Sequence, residues 1–121
     1  MNVSAWILVA VTGAVGSLLR FRLDALVQQR ADGAFPLGTL AVNLVGSFCL
    51  GLLTGLGVTG DTLLVLGTGL LGSFTTFSTW MLEAERLAEE GESRLAFANV
   101  VVPLAAGLAA ALAGWVVGGA L

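Results

Sequence analysis

Charge is confined to three short stretches of this chain and excluded from four long ones, and that partition limits what it can fold into. Residues 1–19, 33–60, 62–82 and 95–121 contain no Asp, Glu, Lys or Arg. A helix needs roughly 20 apolar residues to cross a hydrocarbon core of about 30 Å, and each run approaches or exceeds that length. With 57% hydrophobic and 11% charged residues over 121 positions, too little polar surface remains to cover a soluble domain. The expected fold is an all-α integral membrane protein, with four transmembrane helices over approximately 3–20, 36–58, 62–82 and 95–119 in a single membrane domain 1–121.

The first run reads as a span rather than a secretory signal. No basic residue precedes it, no small-x-small cleavage site follows it, and Arg20 and Arg22 come after it. Cys49 is the sole cysteine and lies inside a run, where it packs as a small apolar residue. One cysteine and no histidine argue against a transition-metal site. Three short connections make the spans a compact antiparallel bundle. The first, 21–36, holds the helix breakers Gly33 and Pro36, and the second is a tight turn near 59–61. The third, 83–94, is rich in glutamate; its start extends the third helix into water, and its charges read as a solvated face.

With four spans, the first and third connections share one side of the membrane. All five basic residues are arginines on that side: Arg20, Arg22, Arg30, Arg86 and Arg94. The positive-inside rule therefore places these connections in the cytoplasm and both termini outside. If Arg20 and Arg22 sit in the protein rather than in a loop, the bias is still three to none.

The third run departs from what hydrocarbon asks of a span. Ser73, Thr75, Thr76, Ser78 and Thr79 crowd into its second half behind Gly67, Gly69 and Gly72. Glycine weakens the helical ladder, and a carbonyl freed in hydrocarbon needs a donor or a cation. Asn43 and Ser47 lie one helical turn apart in the second run, whereas no run holds a carboxylate for proton coupling or a cation path. Amide and hydroxyl hydrogens can receive an anion without a fixed counter-charge that would hold it too tightly to leave. The alternative for each hydroxyl is a bond to its own i−4 carbonyl or to a neighbouring helix. Phe74, Phe77 and Trp80 recur every third residue, as a packing ridge or as ring edges turned toward an anion. Gly13, Gly16 and Ser17 share a face leading to Arg20, while Gly51 with Gly55 and Gly114 with Gly118 are small-xxx-small pairs suited to close helix contact. Arg20 either snorkels to headgroups or draws anions to a vestibule. Transport folds commonly place their site between two inverted halves, and four helices without an internal repeat supply one half, so a second, antiparallel chain is expected.

Three segments carry a resemblance. GAVGSLLRF at 13–21, GTLAVNLVGSFCLG at 38–51 and GLLGSFTTFSTW at 69–80 are similar, in order and spacing, to the fluoride channels called Fluc or CrcB. The resemblance implies a passive fluoride-export channel rather than an enzyme, sited in the cell membrane. It implies an antiparallel dimer with two narrow pores and a structural, untransported sodium ion between the subunits. Carried over by position, Gly72 and Thr75 match the residues whose backbone carbonyls hold the sodium at a mid-membrane break in the third helix. Asn43, Phe77, Ser78 and Thr79 match pore residues, and Arg20 matches the arginine ending the first motif, toward the vestibule. Trp80 stands where the family usually has its second pore phenylalanine, adding an indole N–H; Phe21 replaces a tyrosine; and between Pro103 and Leu121 there is no Ser, Thr or Tyr to continue the family's polar track. Homodimeric members insert in both orientations, with balanced charge. The one-sided arginines and the bare fourth span point instead to a related second subunit, with one pore weak or dead. A small four-span multidrug-type exporter needs an intramembrane glutamate that is absent here, and a non-transporting scaffold subunit leaves the donor tract without a use.

Overall fold

The computed structural model describes residues 2–31 and 33–121; Met1, in the first uncharged run, and Asp32, in the first connection, lie outside the described residues. Every regular element among the described residues is helical. Helix α1 spans Val3–Arg30 and opens on Asn2, whose side-chain oxygen accepts from the Ala5 amide at 2.9 Å. This side-chain acceptor satisfies one of the donors a helix start leaves free. The helix does not stop where charge begins. From Leu19 to Arg30 there is no glycine or proline, and Leu, Ala, Gln and Arg keep it going. The first connection thus begins at Ala31 rather than at Phe21, because an uncharged run marks what fits hydrocarbon and not where a helix ends.

Helix α2, Leu37–Gly55, follows Pro36. It closes with the Gly57 amide on the Thr54 carbonyl and the Val58 amide on the Leu53 carbonyl, both at 3.1 Å. That pairing needs a left-handed residue, and Gly57 has φ of 80°. The third run is composite. A short α3 (Gly60–Leu63) passes into a π-helical stretch at Leu64–Leu71, then α4 (Gly72–Phe74), then α5 (Phe77–Glu89). Between α4 and α5 the backbone is extended, with ψ of 161° at Thr75 and φ, ψ of −147°, 119° at Thr76. Gly91 ends α5 with the same closure as Gly57, and α6 runs over Ser93–Ala120 with Pro103 inside it.

Four helical runs are long and apolar enough to cross a membrane: Val3–Arg30, Leu37–Gly55, Gly60–Glu89 and Ser93–Ala120. Few large side chains are buried between them; Val42, Phe74 and Leu87 are the main ones. Helices meet instead through glycine. A Cβ at Gly51 or Gly55 would strike the Ala111 or Trp115 carbonyl of α6, and one at Gly114 or Gly118 the Phe48 or Leu52 carbonyl of α2. The two small-xxx-small pairs therefore face each other across a single interface. Gly16 of α1 does the same against Leu70 and Ser73, seating α1 on the third run. Outward faces are apolar, with Leu18 and Leu112 exposed, as lipid contact requires.

Candidate functional site

The interruption at Thr75 and Thr76 would leave backbone groups without helical partners, and a residue from another helix takes them up. Asn43 of α2 accepts from the Thr76 amide through Oδ1 at 2.8 Å and donates from Nδ2 to the Thr76 carbonyl at 3.1 Å. One side-chain amide thus pairs with both polar groups of one extended residue, as a neighbouring strand would. The Thr76 hydroxyl then caps α5 by accepting from the Thr79 amide at 3.2 Å. Gly46, one turn beyond Val42 on α2, gives the Thr75 methyl its place; a Cβ there would collide with it.

These bonds alter the carbonyls on either side. In a continuous helix, the Thr76 amide would serve the Gly72 carbonyl and the Thr79 amide the Thr75 carbonyl. Both amides are turned elsewhere, to Asn43 and to the Thr76 hydroxyl. Other hydroxyls of the tract bond back along their own helix: Ser73 to the Gly69 carbonyl at 2.8 Å and Thr75 to the Leu71 carbonyl at 3.1 Å. Each of these hydroxyl bonds serves the protein's own backbone, the alternative open to every Ser and Thr of the tract.

Beside the break lies an open groove of about 400 Å³ between α2, the third run and α6. Its polar lining comes from Asn43, Ser47, Thr75 and Thr76, and Phe77 and Trp80 close one end. Phe77 is 70% exposed, and its ring meets that of Trp80 edge to face, with centroids 5.6 Å apart and planes at 89°. From α6 come Pro103, Leu104, Gly107 and Leu108, all apolar. Of the residues singled out in the sequence, Asn43, Gly72, Thr75, Phe77 and Trp80 converge on this groove. Ser78 and Thr79 sit beyond its lining on the first turn of α5. Arg20 belongs to α1, away from the groove, with its guanidinium carbon 5.3 Å from the Phe21 ring centroid. The Trp80 indole N–H, expected as an extra donor toward the pore, donates to the Asn99 carbonyl of α6. Asn99, 1% exposed, was not singled out in the sequence, although Pro103 four residues later was a signal for it.

Fold and site together define a small multi-pass membrane protein whose third helical run is interrupted and clamped from the second, beside a groove lined by neutral polar groups. The chain matches the family described as CrcB-like protein, Camphor Resistance (CrcB), over residues 7–115. It is 52% identical over 113 residues to a protein of Mycolicibacterium paratuberculosis named fluoride-specific ion channel FluC 2, covering 93% of each chain. It is 44% identical over 120 residues to fluoride-specific ion channel FluC 1 of Symbiobacterium thermophilum, covering 94% of this chain and 97% of that one. A FluC 2 of Haloarcula marismortui is 52% identical over 101 residues, covering 84% and 82%. The chain belongs to the CrcB-like family.

Proposed function

We propose that this protein is a fluoride channel subunit that lets fluoride leave the cell passively across the plasma membrane, lowering its cytoplasmic toxicity. The observation that carries the reading is the groove at the clamped break, donor-bearing and free of carboxylates, in a chain whose relatives are named fluoride-specific ion channels. Fluoride is small and strongly hydrated, so a pore must replace water with donors and must not bind so tightly that the ion stays. Asn43 has two amide hydrogens; one meets the Thr76 carbonyl and the other remains for an anion. Ser47 adds a hydroxyl, and Phe77 offers a ring edge carrying positive quadrupole. Ser78 and Thr79 extend the donor line along α5, and Arg20 draws anions toward the membrane surface.

In this reading the break lies at mid-membrane, where the carbonyls of Gly72 and Thr75, relieved of their helical donors, suit a hard monovalent cation. Two such breaks meeting in an antiparallel dimer would hold one structural sodium ion, whose charge would fasten the subunits together. The cation is not transported, and the amide and hydroxyl donors handle the anion.

A related second subunit is favoured over a second copy. Its support is the apolar face that α6 turns to the groove and the arginines gathered at one side of the chain. The partner would complete the polar track, leaving one of the two pores weak or dead, and this chain alone would then be half-functional or non-conducting.

The test is fluoride efflux from liposomes, read with a fluoride electrode, for this chain alone and with a related partner. Asn43→Asp and Phe77→Ile are each expected to cut efflux of the conducting assembly strongly. Unchanged transport in both variants would remove the groove from the pathway, and brisk efflux from this chain alone would remove the need for a different partner.

A further inference from the structure

Proline has no amide hydrogen, so inside a helix the carbonyl four residues earlier loses its donor. In α6 that proline is Pro103 and the carbonyl is that of Asn99. A bare carbonyl in hydrocarbon must find a donor elsewhere. It has one: the Trp80 indole N–H from α5 donates to that same carbonyl. The exchange runs both ways, because Asn99 Nδ2 donates to the Trp80 carbonyl at 3.3 Å. Asn99 is fully enclosed while making these bonds, so the α5–α6 junction is tied at the backbone and ring of one aromatic residue. The same indole stands perpendicular to Phe77, which is the exposed ring at the end of the groove.

We infer that Pro103 and Asn99 are positioning residues for the aromatic end of the groove: the proline vacates the Asn99 carbonyl, the Trp80 indole occupies it, and the fixed indole sets the Phe77 ring. This rests on the fluoride-channel reading only for what the rings act upon; the coupling itself stands on the hydrogen bonds. It gives tryptophan at position 80 a structural reason. Phenylalanine there would pack against Phe77 but leave the Asn99 carbonyl unpaired. Alanine at position 103 would return an amide to that carbonyl and make the indole unnecessary.

The experiment is a double-variant cycle on the full-length chain in its conducting assembly: parent, Trp80→Phe, Pro103→Ala, and both together, each followed by fluoride efflux from liposomes. Trp80→Phe is expected to slow efflux about tenfold, the change that follows when the cost of one unpaired buried carbonyl falls on the ring arrangement that conducts. Adding Pro103→Ala should recover most of that loss. If Trp80 acted only by touching the ion, Pro103→Ala would recover nothing, and that result overturns the inference. The second readout is the indole N–H resonance in ¹⁵N-labelled protein in detergent. Three tryptophans give three indole signals. The Trp80 signal, identified by its loss in Trp80→Phe, should lie downfield of the others and move upfield in Pro103→Ala. An unmoved signal overturns the inference, whether or not the variants conduct. Should the parent assembly carry no fluoride, the channel reading fails, and the indole signals alone decide the coupling.

Discussion

The two faces of α2 solve opposite problems. Toward α6, contact comes from taking side chains away: Gly51, Gly55, Gly114 and Gly118 let one backbone lie on another. Toward the third run, contact comes from adding a side chain, because Asn43 reaches across to complete a backbone that has left its helix. The first solution tolerates no added atom and has no chemistry to offer. The second keeps polar groups inside an apolar protein, where each must be satisfied, and leaves donors beside a groove. Close packing and polar pairing are thereby divided between two faces of a single helix.

The division is broken most severely at the glycine face. Gly114→Ala would push a methyl onto the Phe48 carbonyl and within 2.8 Å of the Leu52 amide, and neither is a side chain that can rotate away. The two helices must separate, and no monodisperse protein is expected on size-exclusion in mild detergent. Gly119→Ala is the control. A Cβ there meets nothing within 4 Å, so its elution should match the parent. If both variants behave alike, backbone contact does not hold α2 against α6.

At the polar face the expected effect is intermediate. Asn43→Leu keeps the shape of the side chain but strands the Thr76 amide and carbonyl together. At about 1–3 kcal/mol for each of the two orphaned groups, the loss should be on the order of 2–6 kcal/mol, read as a lower midpoint in thermal unfolding monitored by light scattering. The protein should still elute as one species, because the glycine interface is untouched. A midpoint equal to the parent's would show that the break is held by something other than Asn43.

How much of this was legible in the sequence follows the same division. Absence of charge is a local property, so the four spans could be read directly. The glycine pairs were also readable, since four-residue spacing on a helix means one face. The start of the interruption could be located, because Gly72 and a dense set of hydroxyls announced a weakened ladder. What Asn43 does with its amide could not be read, because its partner Thr76 lies 33 residues away and only the folded crossing brings them together. The π-helical stretch at Leu64–Leu71 likewise has no pattern of its own in the sequence; Gly67 and Gly69 lie inside it, and a Cβ at Gly69 would collide with the Thr12 hydroxyl of α1. Asn99 was overlooked for a different reason. A lone asparagine in an apolar run resembles helix glue, and it acquires meaning only once Pro103 is seen to vacate its carbonyl.

The smallest expected effect separates the clamp from the cap. Thr76 takes part in the break twice, with its backbone bonded to Asn43 and its hydroxyl oxygen accepting from the Thr79 amide at the start of α5. Thr76→Ala removes only the second of these. Loss of an N-cap oxygen costs about 1 kcal/mol, so the unfolding midpoint should fall by less than in Asn43→Leu, and hydrogen exchange at the first turn of α5 should quicken about fivefold. Thr76→Ser keeps the oxygen and should restore both values. Were Thr76→Ala as damaging as Asn43→Leu, the Thr76 cap would carry as much of the break's stability as the Asn43 clamp does.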